Sequence, residues 1–108
     1  MALRSFLEAH PRRFASLVAQ VEVARAILRA GVSGAPIAEA FLGVEIIELD
    51  ADVAARAAVV EPAMLRTLDA IHLVSALMVA DQVDALVTYD VRLADAARWA
   101  GLTVVAPA

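Results

Sequence analysis

At 108 residues and 62% apolar content, the chain has the size of one domain and enough apolar material for a core, but aromatics are only 5%, so packing must come from close approach of alanine-rich helices and strands. It has no cysteine, which excludes a disulfide framework and any thiolate metal site. A net charge of −4 with a pI near 5.0 excludes a binder held to nucleic acid by bulk positive potential, so any nucleic-acid chemistry must be local.

The first residues, Met1 to Pro11, are interrupted by Arg4, Glu8 and His10 and lack the continuous apolar stretch of a signal peptide. Leu73 to Ala80, closed by His72 and Asp81, is far shorter than the roughly 20 residues needed to span a bilayer. These features predict a soluble, cytoplasmic protein with no membrane partner. No linker, low-complexity tract or long-period repeat divides the chain, which predicts a single domain over residues 1–108.

A β-like stretch around Phe14 leads into a helix from Leu17 to Ala30, with Val18, Val21, Ala24 and Leu28 on one side and Gly31 as its stop. Pro36 to Leu42 is consistent with a short helix closed by Gly43, and Val44 to Leu49 with a strand. Asp50 caps a helix through Ala54 and Ala58 that stops by Glu61, because Pro62 disfavours helical geometry in the residue before it. Asp69 begins a helix to about Asp81, Ala85 to Tyr89 is a buried strand, Asp90 begins a helix to Ala100, and Gly101 leads into a strand at Thr103 to Val105.

Two strands joined by a helical crossover of about a dozen residues are most often parallel, which makes the class α/β. The helix after Asp69 is apolar nearly all round, Ile71, Val74 and Met78 opposing Leu73, Leu77 and Ala80, and this implies burial on two sides.

Asp69 and Asp90 both stand at predicted helix starts, and Asp90 also ends a parallel strand, where open α/β sheets place their ligand crevice. Taken alone, each could be a helix cap stabilised by backbone N–H groups. Glu22, three residues before Arg25, could equally be half of an exposed ion pair.

Three segments in order resemble a known family: Phe14, Ala15, Ser16, Leu17, Val18 before Glu22; Leu68, Asp69, Ala70, Ile71, His72, Leu73; and Thr88, Tyr89, Asp90, Val91, Arg92, Leu93. They are similar to the PIN-domain ribonucleases of VapC type, and the likeness runs from about Leu3 to Pro107. The resemblance implies a three-layer α/β/α fold around a parallel sheet. It also implies that Glu22, Asp69 and Asp90 converge as catalytic and metal-binding residues holding Mg²⁺ or Mn²⁺, hard cations that prefer oxygen ligands.

Two carboxylates about 4 Å apart repel by roughly 4 kcal/mol at an effective dielectric of 20, so such a cluster either takes up protons or binds a cation. The implied activity is metal-dependent endonucleolytic hydrolysis of RNA by the toxin of a toxin–antitoxin pair, with RNA as substrate, a VapB-type antitoxin as partner and a homodimer as the assembly. Thr88, His72 and Asp95 are candidates for supporting positions around the carboxylates, and Arg12, Arg13, Arg92 and Arg98 are read as surface residues without a role.

Members of this family normally begin with a strand bearing an aspartate in a D-x-S context. Here Met1 to Leu7 instead resembles the later helix that precedes the Phe14 strand, so the first, central strand is expected to be missing and activity impaired. An alternative reading is an inactive PIN-like module that binds an antitoxin. An unrelated α/β ligand-binding domain is disfavoured because no Gly-rich phosphate loop is present.

Overall fold

The computed structural model describes residues 2–31, 39 and 41–107. Helix α1 (Leu3–Ala9) is followed by strand β1 (Arg13–Ser16) and helix α2 (Leu17–Arg29). Arg13 closes the end of α1, its Nη2 donating to the Leu7 carbonyl at 2.6 Å and its Nε to that of His10 at 3.2 Å. Ser16 turns strand into helix: its Oγ accepts the Ala19 amide at 3.0 Å, satisfying one of the free N–H groups of the first turn. Gly31, at φ 77°, ends α2 as the sequence predicts.

The expected apolar face of α2 is only partly covered. Val18 and Ala24 are half-buried, but Val21 and Leu28 are 56% and 59% exposed. The described elements that touch α2 are β1, β2 and the long apolar helix α4 introduced below, too little to cover a full helical stripe. The predicted helix at 36–42 lies mostly outside the described residues.

Strand β2 (Val44–Ile47) pairs in parallel with β1, from Arg13 opposite Val44 to Ser16 opposite Ile47. Asp50 caps helix α3 (Ala51–Ala57), its Oδ1 accepting the Val53 amide at 2.9 Å. Helix α4 (Thr67–Met78) begins two residues before the predicted start, so Asp69 lies within its first turn and is not its cap. Ala70, Leu73, Val74 and Ser75 of α4 are buried, while Met78 is exposed. A 3₁₀ turn (Ala80–Gln82) leads to strand β3 (Leu86–Val87), helix α5 (Val91–Trp99) and strand β4 (Val104–Val105). Strands β3 and β4 are parallel, Leu86 opposite Val104.

The expected parallel α/β class is therefore present, but the four strands form two separate ladders, β1–β2 and β3–β4. The predicted buried strand at Ala85 to Tyr89 is a half-buried two-residue strand, because among the described residues it pairs on one side alone. Leu73, Leu93, Ala96 and Ala97 form the core, with Leu65, Leu77, Leu86 and Val104 packed against it. Among the described residues no buried apolar side chain precedes Val53, and no helix is long and apolar enough to cross a membrane.

Candidate functional site

The facing sides of the two ladders open onto one groove of about 970 Å³. Its walls include Arg13 to Ser16 from β1 and Leu86 to Thr88 at β3. Glu22, Asp69, His72, Thr88 and Asp90 also line it, so four stretches of chain deliver polar side chains to one place.

Asp90 follows β3 and caps α5. Its Oδ1 accepts the Leu93 amide at 3.0 Å, and its own amide donates to Thr88 Oγ1 at 3.1 Å, which fixes the turn leaving the strand. The Leu93 amide is the main reason its carboxyl lies below the ordinary 3.8. The Arg92 amide and the Arg66 and Arg92 charges act in the same sense, against the opposing effect of desolvation.

Asp69, in the first turn of α4 and 9% exposed, places Oδ2 3.4 Å from Arg66 Nε. The same guanidinium reaches Asp90, with Nη2 3.6 Å from Oδ2. Asp69 and Asp90, 21 positions apart in sequence, are thus gathered around one positive charge.

Glu22, on α2, is half-exposed and is held differently: its Oε1 accepts from His72 Nε2 at 2.8 Å. The family resemblance implies that Glu22, Asp69 and Asp90 share one crevice, and all three line this groove. However, among the described residues no three His, Asp or Glu side chains lie close enough together to share an ion. Arg66 offsets one of the two negative charges of Asp69 and Asp90, and the two carboxylates are oxygen donors of the type that hard divalent cations take alongside water.

Thr88 stands in the groove wall as a turn-former. Asp95 does not reach the groove: five residues beyond Asp90 on a helix it points about 140° away, and it is exposed and paired with Arg98 at 3.7 Å. Arg12, also at the groove wall, ties β2 to the 3₁₀ turn, donating to Gln82 at 3.1 Å and pairing with Glu45 at 3.4 Å.

Arg66 and Ser16 are the residues at the site that the sequence reading missed. For Arg66 the available signal was its position three before Asp69, the spacing of a helical ion pair. For Ser16 it was a serine directly before an apolar helical pattern, the mark of an N-cap.

Comparison with known proteins gives relatives over most of the chain. It is 38% identical over 107 residues to Ribonuclease VapC46 of Mycobacterium tuberculosis, covering 98% of this chain and 82% of that protein. Identity to Ribonuclease VapC35 of the same organism is 39% over 99 residues, 89% of this chain and 73% of the relative. For Ribonuclease VapC47, also from Mycobacterium tuberculosis, it is 36% over 94 residues, 85% and 69% of the two chains. No family profile matches the chain, and no solved structure matches it at a significant level.

Proposed function

Because this chain belongs to the VapC ribonuclease family, we propose that it is a toxin-type endoribonuclease that hydrolyses RNA phosphodiester bonds with Mg²⁺ or Mn²⁺ and is restrained by a VapB-type antitoxin. The observation that carries the chemistry is the meeting of Asp69 and Asp90, from two different elements, around one guanidinium in a groove that Glu22 also lines. The parallel α/β arrangement is compatible with the PIN-like fold that the sequence predicts.

In this reading Asp69 and Asp90 hold the divalent ion, with Glu22 as the third acidic group of the groove. When bound, such an ion lowers the pKa of water and neutralises charge developing on the phosphodiester. Asp90 is suited to its part because its amide partners favour the ionised carboxylate. Arg66, whose side chain is 63% exposed, would offer its guanidinium to a phosphate oxygen of the substrate. Assembly as a homodimer belongs to the same reading.

The absence of a three-residue ligand cluster among the described residues favours one second reading, a module that binds antitoxin without cleaving RNA. Incubation with a mixed RNA pool in Mg²⁺ or Mn²⁺ separates the two. The nuclease reading expects cleavage that is abolished by EDTA and reduced at least about 100-fold by Asp90→Asn. Cleavage that survives both treatments would point to a contaminant. No cleavage, combined with tight binding of a VapB-type antitoxin, would establish the binding module instead.

A further inference from the structure

Two side chains that the nuclease reading leaves unused connect the buried end of β1 to Glu22. Ser16 is 6% exposed, and besides capping α2 its Oγ lies 2.8 Å from Nδ1 of His72 on α4. On the other side of the ring, His72 Nε2 lies 2.8 Å from Glu22 Oε1.

With the imidazole neutral, the hydrogens along these two bonds have one consistent arrangement. A carboxylate oxygen only accepts, so Nε2 carries the ring hydrogen, and in the neutral ring Nδ1 is the acceptor. The Ser16 hydroxyl, whose oxygen already accepts the Ala19 amide, donates its own hydrogen to Nδ1. The hydroxyl thereby selects the tautomer that presents N–H to Glu22. The side chain of His72 is 16% exposed and that of Glu22 48%, so a rigid, mostly buried ring anchors a carboxylate that would otherwise turn freely on a half-exposed helix.

We propose that Ser16 and His72 position Glu22, holding its carboxylate on the groove wall that it shares with Asp69 and Asp90. His72 acts through Glu22, as neither base nor metal ligand. The consequence for catalysis rests on the nuclease reading; the tautomer does not.

Two substitutions separate positioning from bulk packing. His72→Phe keeps the ring volume and removes both bonds. His72→Gln restores both, its Oε1 accepting from Ser16 and its Nε2 donating to Glu22. With RNA as substrate, His72→Phe should lower kcat about 10- to 100-fold at little change in KM, the range for partners that orient an acidic ligand, and His72→Gln should recover most of it. In a Glu22→Gln background, His72→Phe should cost less than about threefold more, because the residue it acts through is already disabled. An undiminished loss in that background would overturn the proposal.

A readout independent of activity is the imidazole ¹⁵N spectrum of the metal-free full chain at a pH high enough that the ring is neutral, the His72 signals assigned by their loss in His72→Gln. It should show a protonated Nε2 that moves in Glu22→Gln and an unprotonated Nδ1 that moves in Ser16→Ala. A ring protonated at Nδ1 instead, or an Nε2–H signal indifferent to Glu22, would overturn the relay even if the protein cleaves RNA. If no RNA is cleaved while the spectrum is as expected, the nuclease reading fails and the relay stands.

Discussion

Asp90 belongs to the stability of the fold as well as to the site. Its folded pKa is lowered from the ordinary 3.8, chiefly by the Leu93 amide, so its contribution to stability is complete above the unfolded value and is lost as pH falls through about 4 towards the lower folded value. Asparagine keeps an oxygen for the cap but has no proton to take up. Asp90→Asn should therefore melt below the parent near neutrality, and the gap should close under acid; scanning calorimetry across pH 7 to 3 reads this directly, and a gap that does not change with pH would contradict the assignment. Capping aspartates such as Asp50 and Asp90 were legible in the sequence because a cap bond reaches only three residues along the chain. The Arg66 bridge to Asp90 and the His72 bond to Glu22 were not legible. They span 24 and 50 positions, and no local pattern encodes which distant side chains meet.

Among the elements, α4 shows most clearly what periodicity reveals and what it leaves out. Its nearly all-round apolar sequence predicts two-sided burial, and Leu73 and Val74 are both buried. Leu73, fully enclosed in the cluster with Leu93, Ala96 and Ala97, should cost about 2–5 kcal/mol when cut to alanine. Met78→Ala, at an exposed position, should cost less than about 1 kcal/mol; urea unfolding midpoints of the two variants provide the check. The stripe on α2 misleads for the opposite reason. Val18, Val21, Ala24 and Leu28 have helical spacing, but burial needs a neighbour, and the described residues cover only part of that face. Strand ends were read too long in the same way, since an apolar run from Ala85 to Tyr89 says nothing about whether a partner backbone lies alongside.

Across the whole molecule, the groove between the ladders is built on unequal foundations. The first ladder and α2 contribute no fully buried apolar side chain among the described residues, whereas β3, α5 and β4 surround the core cluster. Helix α4 touches both, through β1 and α2 on one side and α5 on the other. Amide exchange followed by mass spectrometry should accordingly find 67–78 and 91–99 slower than 3–29, since local opening follows the density of buried apolar contacts.

The same inequality bears on heat. Asp69 and Asp90 are anchored in the slow half and Glu22 in the fast one, so partial opening would withdraw one acidic group while the other two stay assembled. On the nuclease reading, RNA cleavage should then fade reversibly at temperatures where most of the far-ultraviolet circular dichroism persists, making it an earlier thermometer than the melting curve.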